Sequence, residues 1–438
     1  MTRQMYQIFG KLAVRASGFS GWPTYPWSIN LSQNSAPAHI GRVEQVILLA
    51  LLSSLIALSI DSMLPALSYI VTDLNVTDPN GRQLVIGATF VGMAFGMLIY
   101  GPISDSTGRK IPIFAGIVIF MTGCLLSIFA ENYTMMLVGR FLQGLGAASP
   151  RVVSIALIRD EYSGREMAKF TSLVMTVFIL VPVLAPALGQ LVLLMASWRY
   201  IFVAMFTLGL IALVWFAFRQ RETLSTEHRV PFTASRLAIA ALEVFKNRIS
   251  RGYMIMSGFV FAAFLSFLTM SQQIFQDQYG VGEMFPVYFG CLALAFGGAS
   301  FTNSTLVMRL GMNNLIRRAL WAFTILSVSF LVFCLFNDGH PNLWLLMGFL
   351  LLIFFCVGIL FGNINAQAME PLGHIAGVAS AIITSCSTFM SVILGSFIAQ
   401  SYNGSVLPLL IGFAGYGLMS LMVFYVTNAK NVDHQVSV

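Results

Sequence analysis

The feature that most constrains this chain is a series of apolar runs, each about 20 residues long, separated by short charged or turn-rich breaks. A run of that length crosses a bilayer as one helix. Strand-type alternation is absent, so the runs do not predict a membrane barrel. We therefore predict about twelve membrane-spanning helices, at 45–70, 83–104, 111–130, 134–158, 168–194, 198–218, 252–276, 285–307, 315–336, 342–365, 375–399 and 405–427.

The small number of charged residues supports this interpretation. Charged residues make up 9% of the chain, whereas soluble domains carry about 25%. This excludes soluble enzymes, nucleic-acid-binding modules and disordered proteins, and we expect the lipid bilayer, not nucleic acid, as the surrounding partner. All five cysteines lie in apolar runs, which favours neither a disulfide framework nor a metal site.

Lysines and arginines are distributed very unevenly between the two ends of the predicted spans. The end that carries both termini has 20 of them, and the other end has two, Arg82 and Arg199. Arg140 and Arg151 remain, within the fourth span. Because cytoplasmic loops are rich in these residues, the pattern predicts an even number of spans with both termini in the cytoplasm. The formal net charge of +7 is explained in the same way.

A polar stretch at 219–251 divides the chain into two six-span halves, 43–218 and 252–428. Two equal bundles around a central cavity are typical of secondary transporters. The alternative, two fused bundles of a receptor or channel, is less well supported, since the charged residues inside the spans do not form a pore ring. Residues 1–42 form either a basic amphipathic helix on the cytoplasmic leaflet or a disordered tail, and 429–438 form a cytoplasmic tail.

The loop after the second span reads Gly-Pro-Ile-Ser-Asp-Ser-Thr-Gly-Arg-Lys at 101–110. This resembles the loop signature of the major facilitator superfamily, G-x-x-x-D-R-x-G-R/K-R/K, with a serine in place of its first arginine. The matching positions are Gly101, Asp105, Gly108 and Arg109. The resemblance implies that they form a conformational latch between helices and do not bind substrate.

The fourth span contains Arg140, Gln143 and Gly144 in a pattern that resembles the R-x-x-Q-G-x-G-A motif of the same superfamily. A charge inside a membrane must be paired or face a wet cavity. Counting helix rise places Asp61 of the first span at a similar depth. Burial disfavours the charged form of a carboxylate and a nearby arginine favours it. We therefore predict Asp61 as a proton carrier with Arg140 as its partner; the alternative is a structural Asp–Arg pair that does not titrate.

The segment at 61–68, Asp-Ser-Met-Leu-Pro-Ala-Leu-Ser, resembles the D-x-x-L-P-A-L-P segment of the drug:proton antiporter branch. Further matches at 159–160 and 368–377 are similar to its bicyclomycin-resistance/CflA type. In the fifth span, Pro182, Pro186 and Gly189 resemble the antiporter motif G-P-x-x-G-G with two glycines replaced. They predict a helix that flexes during gating, or alternatively a kinked packing helix.

Other polar residues inside the spans are candidates for the wall of the cavity. Gln143 and Asn363 are predicted ligand contacts. Arg151 lies eleven residues after Arg140 and thus on the same helix face. It is predicted to line the cavity, or else to extend to the interface or pair with Asp105.

Together these observations predict an all-α membrane protein of twelve helices in two six-helix bundles around a central cavity. The resemblance implies a carrier in the bacterial inner membrane that exports small apolar or amphipathic molecules in exchange for protons. It would act as a monomer, not an enzyme, with protons as coupling ion and no cofactor; the chain has no nucleotide-binding G-x-x-x-x-G-K-S/T loop. The alternatives are a dedicated exporter of a metabolite or siderophore, or a non-transporting membrane sensor or lipid-handling protein.

Overall fold

A computed structural model describes residues 41–433, and this part of the chain is built of helices without strands. The α-helices of the N-terminal half are α1 (Arg42–Asp61), α2 (Leu67–Asp73), α3 (Gly81–Thr107), α4 (Lys110–Ile128), α5 (Tyr133–Glu161), α6 (Gly164–Met195) and α7 (Arg199–Arg219). A connecting helix follows, α8 (Ala234–Lys246). Those of the C-terminal half are α9 (Arg248–Gln272), α10 (Phe285–Leu310), α11 (Met312–Leu335), α12 (Leu343–Met369), α13 (Ala376–Gln400) and α14 (Leu407–Asp433).

The described helices agree with the predicted twelve spans. Eleven helical stretches are long and apolar enough to cross a membrane, and one of them, Leu343–Gln400, has 58 residues. A 3₁₀ segment at Glu370–Ile375 divides this stretch into α12 and α13, each long enough to cross on its own. The polar stretch 219–251 contains helix α8, which the sequence analysis did not predict. The amphipathic helix predicted in the tail lies outside the described residues.

The same helix pairing occurs twice. In each half, the first span packs against the fourth and fifth, the third against the fourth and sixth, and the second against the fourth. The halves meet along two seams, α3 with α13 and α6 with α10, so the second span of each half contacts the fifth of the other. This internal repeat is the two-bundle architecture typical of secondary transporters.

The first span is interrupted, unlike the single run predicted at 45–70. Helix α1 ends at Asp61, a 3₁₀ turn covers Leu64–Ala66, and α2 continues from Leu67. Pro65 explains the break, because proline lacks a backbone N–H and disfavours helical geometry at the residue before it. Asp61 is therefore the last residue of a helix that ends within the membrane-spanning stretch.

The basic end is the end of the bundles that holds the turn between α3 and α4 and helix α8. The opposite end holds the start of α3 and the end of α9.

Candidate functional site

A cavity of about 540 Å³ lies between the two halves. Eight phenylalanines line it: Phe90, Phe178, Phe261, Phe264, Phe289, Phe296, Phe354 and Phe361. Its polar and charged lining residues are Asp61, Ser104, Asp105, Arg151, Arg159, Ser257, Asn365, Ser380, Thr384, Ser387 and Thr388. Because Asp105 and Arg159 belong to the basic end, the cavity extends from the middle of the bundles to that end.

The C-terminal half contributes a wall of packed aromatic rings. The ring centroid of Phe264 lies 5.7 Å from that of Phe261, 6.1 Å from Phe296 and 5.7 Å from Phe354. Offset and tilted contacts at these distances are favourable for aromatic pairs. The wall therefore offers flat apolar surfaces to a molecule in the cavity.

Asp61 lies on the cavity wall, with 6% of its surface exposed. Among residues 41–429, no lysine, arginine or histidine nitrogen comes within 4.0 Å of its carboxylate. Arg151 also lines the cavity, and its guanidinium carbon lies 4.8 Å from the ring centroid of Phe178. Arg151 therefore makes this cation–π contact and not the ion pair with Asp105 that the sequence offered as an alternative.

Arg140 is bound in a way the sequence did not predict. It is fully buried and donates from Nη1 to Gln143 Oε1 at 2.5 Å and to Ser59 Oγ at 3.1 Å. Nη2 donates to the Ser59 carbonyl at 3.0 Å, and Nε to the Val85 carbonyl at 3.3 Å. The predicted pair with Asp61 is not formed, because polar groups of α1, α3 and α5 already satisfy the guanidinium.

Two predicted ligand contacts face other helices. Gln143 is buried and donates from Nε2 to the Gly123 carbonyl at 3.1 Å, which ties α5 to α4. Asn363 donates to Asn303 Oδ1 at 2.6 Å and so ties α12 to α10. Neither lines the cavity, whereas Asn365 does. Two residues along a helix turn a side chain by about 200°, so Asn363 and Asn365 point in different directions.

The predicted latch residues come together at the basic end. Arg109 donates to Asp105 Oδ1 at 2.6 Å and to Asp160 Oδ2 at 2.7 Å, which joins α3, α4 and α5 within one half. Burial lowers the pKa of the Arg109 guanidinium, but the hydrogen bonds to Asp160 and Asp105 outweigh it, and its pKa lies above the ordinary value. Gly108 makes the turn with φ of 97°, a left-handed conformation that favours glycine.

Glu222 completes this cluster and was not identified from the sequence. Its carboxylate accepts hydrogen bonds from the backbone N–H of Arg109 at 2.8 Å and of Lys110 at 3.0 Å, at the start of α4. Burial raises the pKa of Glu222, but four backbone N–H donors bring it below the ordinary value. Its stabilising contribution is therefore present at neutral pH and lost as the pH falls through that lowered pKa.

Helix α6 lies directly against the turn that follows Asp61. A Cβ added at Gly189 would lie 1.8 Å from the Ser62 carbonyl oxygen, so the two backbones are in contact. Pro182 lines the cavity, and α6 runs as one helix through both Pro182 and Pro186. A Cβ at Gly101 would meet its nearest neighbour, Ala381 on α13, at an ordinary 3.6 Å.

A polar layer joins the two halves at the opposite end. Arg82 Nη1 on α3 donates to Asp277 Oδ2 at 2.7 Å, and Gln83 Nε2 donates to Gln273 Oε1 at 2.6 Å. Both acceptors lie in a π-helical segment, Gln273–Gln278, directly after α9. These contacts lie beyond the cavity, and they hold the halves together at the end that the cavity does not reach.

Two repeated six-helix halves around a cavity that extends to one end define a membrane transporter that alternates its access. Residues 49–396 match the family model of the Major Facilitator Superfamily. The chain belongs to this superfamily, and it is a multi-pass membrane transporter, not an enzyme.

The chain is similar over most of its length to bacterial transporters. It is 31% identical over 361 residues to the MFS-type transporter YdgK of Bacillus subtilis (strain 168), covering 82% of this chain and 88% of the relative. It is 29% identical to a bicyclomycin resistance protein homolog of Haemophilus influenzae, covering 88% and 96%. It is 30% identical to the multidrug resistance protein MdtL of Salmonella schwarzengrund, covering 86% and 93%.

Solved structures share the fold at lower sequence identity. The nucleoside transporter NupG matches with a TM-score of 0.70 and 14% identity, covering 88% of this chain and 100% of that one. A D-xylose–proton symporter matches with a TM-score of 0.68 and 13% identity, covering 88% and 97%.

Replacing Arg140 by methionine is expected to destabilise the N-terminal half by at least about 2 kcal/mol, because it leaves buried acceptors on three helices without their charged donor. Thermal unfolding in detergent measures the effect. The matched control is Arg309→Met, at an exposed arginine on α10. Equal unfolding temperatures for both variants would contradict the structural role of Arg140.

Gly189→Ala is expected to lower the free energy of unfolding by about 1–3 kcal/mol, since the added methyl group forces α6 away from the Ser62 carbonyl. Gly101→Ala adds the same methyl group where space exists and should leave the unfolding temperature nearly unchanged. Both variants are compared by thermal unfolding and by transport rate. A milder effect at Gly189 than at Gly101 would show that the α6 contact is not tight.

Weakening the polar layer is expected to open the cavity toward the opposite end. In a cysteine-free background carrying Ala293→Cys on the cavity wall, Asp277→Asn should speed labelling by an impermeant maleimide from that side. The increase should be no more than about fivefold, because a partly exposed ion pair contributes up to about 1 kcal/mol. Asp277→Arg should label faster still, and combining it with Arg82→Asp should restore slow labelling. If the combined variant labels as fast as Asp277→Arg, the pair does not hold the halves together.

Proposed function

We propose that this protein is a proton-coupled exporter of small apolar or amphipathic molecules in the bacterial inner membrane. The observation that carries this proposal is Asp61, a buried carboxylate on the wall of an apolar cavity with no cation of residues 41–429 beside it. An unpaired charge in such surroundings is costly, and either a proton or a cationic group of a ligand removes that cost. The same carboxyl group can therefore bind a proton in one step of the transport cycle and a cationic group of the cargo in another step.

The position of Asp61 supports a link between its protonation and the movement of the halves. It stands at the end of α1, next to the turn on which Gly189 of α6 rests. Helix α6 also forms one seam between the halves, with α10. Rocking at that seam would change how much water reaches Asp61, and hydration changes the relative stability of its charged and neutral forms.

The uneven lysine and arginine distribution supports an orientation with the basic end and both termini in the cytoplasm. In that orientation the cavity extends toward the cytoplasm, where an exporter loads its cargo. Export then requires the polar layer at Arg82 and Asp277 to separate and the cytoplasmic end to close. The latch of Arg109, Asp105 and Asp160 keeps α3, α4 and α5 together, so that the N-terminal half can rock as one body.

The cavity lining and the relatives support an apolar or amphipathic cargo. Its walls are mostly phenylalanine and aliphatic side chains. Two of the relatives are named for resistance to bicyclomycin and to multiple drugs. We propose drugs of this type as cargo, protons as the coupling ion without a further cofactor, and a monomer as the working unit, since one chain encloses the cavity.

Arg151 favours a second candidate function, a dedicated exporter of a metabolite or siderophore. Its guanidinium on the wall provides a fixed positive charge that a purely apolar cargo would not use. Export of one anionic class without protection against varied drugs would support this second function.

Asp61→Asn is expected to abolish protection in a bacterium stripped of its own efflux pumps, because the amide cannot carry the exchanged proton. In inverted vesicles, uptake driven by a pH gradient should fall at least about tenfold. Asp61→Glu should retain part of the activity.

Asp338→Asn makes the same chemical change in an exposed loop and should transport as wild type. The growth panel contains chloramphenicol-like, cationic and siderophore-type compounds. Full protection by Asp61→Asn at equal membrane levels would remove Asp61 from coupling. Wild-type protection that survives a protonophore would refute proton coupling itself.

A further inference from the structure

The cavity carries two opposite charges that lack a charged partner. Asp61 on α1 is negative when ionised, and Arg151 on α5 is positive; neither forms an ion pair within residues 41–429. The other two charged lining residues belong to the mouth: Asp105 is paired with Arg109 at 2.6 Å, and Arg159 is exposed. Asp61 and Arg151 are thus the two deep charges that a bound molecule would meet.

A contact near the basic end sets the level of α1 relative to α5. Gln45 of α1 donates to the carboxylate of Glu161 of α5, so these residues lie at the same level. Counted from this level at 1.5 Å per residue, Asp61 lies about 24 Å and Arg151 about 15 Å toward the opposite end. The difference in depth is about 9 Å.

A second contact gives the other bound. Ser59 Oγ donates to Gln143 Oε1 at 3.1 Å, which sets the level of α1 against α5 farther from the basic end. From there Asp61 lies about 3 Å toward the opposite end and Arg151 about 12 Å toward the basic end. The backbone positions of the two charged residues are therefore separated in depth by about 9–15 Å.

A neutral or singly charged ligand would leave at least one of these charges uncompensated in a low-dielectric cavity. A ligand with a cationic and an anionic group at a matching separation compensates both and adds no net charge. A carboxylate also suits the guanidinium, which donates several hydrogen bonds in a fixed geometry. The rings around Phe264 supply an apolar face for the body between the two groups.

We propose that the preferred cargo is a zwitterion with a rigid aromatic body, its cationic group at Asp61 and its anionic group at Arg151. This inference rests on the proposed function and names the chemical class of its cargo. The cationic group and a proton compete for the Asp61 carboxylate, which fits exchange. The anionic group occupies Arg151 without contesting the proton.

The test uses 4′-(aminomethyl)biphenyl-4-carboxylic acid, in which two phenyl rings separate an ammonium from a carboxylate. Its methyl ester is the matched cation, its N-acetyl derivative the matched anion, and the N-acetyl methyl ester the matched neutral molecule. Binding to the full-length protein in lipid nanodiscs is measured by calorimetry without a proton gradient. The zwitterion is expected to bind at least about tenfold more tightly than each of the three analogues.

Substitutions at the two positions separate the contributions of the two charges. Arg151→Gln should remove the preference for the zwitterion over the methyl ester, and Arg151→Lys should retain part of it. Asp61→Asn should remove the preference for the zwitterion over the N-acetyl derivative. Arg309→Gln, at an exposed position outside the cavity, should change none of the four affinities.

Several results would overturn this inference. They are equal affinity for the zwitterion and the neutral analogue, absence of zwitterion binding, or an equal loss for all four ligands in Arg151→Gln. Since binding is measured without a gradient, proton-driven drug export with no zwitterion preference would refute this inference alone. A retained preference without proton-dependent export would refute the proposed function alone.

Discussion

The structure depends on one constraint: inside the bilayer, every polar group must be satisfied by the protein or by a water-filled cavity. Arg140 shows the first solution. Its guanidinium donates to acceptors on α1, α3 and α5, all within the N-terminal half. Asp61 shows the second, since it borders the cavity without a cation of the described chain beside it. The contrast separates a group that holds a bundle together from the group to which the proposed function assigns the exchanged proton.

The two ends of the molecule use polar contacts differently. At the basic end, Arg109 and Glu222 make contacts within the N-terminal half and its following loop. At the opposite end, Arg82 and Gln83 reach across to the C-terminal half. The first arrangement makes one half rigid, while the second must break if the halves separate there. Rigid halves with breakable contacts between them are what rocking about a central cavity requires.

The structure places the candidate charges and the candidate amides of the spans differently. Asp61 and Arg151 line the cavity, where a charge inside a span can be stable. Gln143 and Asn363 face neighbouring helices instead. An uncharged amide is satisfied by one or two partners on another helix, so its presence in a span does not indicate which way it points.

Sequence alone determined the number of spans, which end of the bundles is rich in lysine and arginine, the loop motif after the second span, and the presence of isolated charges inside the spans. These are local properties, because each helix satisfies its own backbone hydrogen bonds and crosses the bilayer by its own length and hydropathy. Only the tertiary structure decided which charges are paired. The partners of Arg140 include residues 55 and 81 positions away, and Asp277 lies 195 positions from Arg82. Such pairs depend on how each helix is rotated about its axis relative to its neighbours. The local sequence of one helix does not specify that rotation.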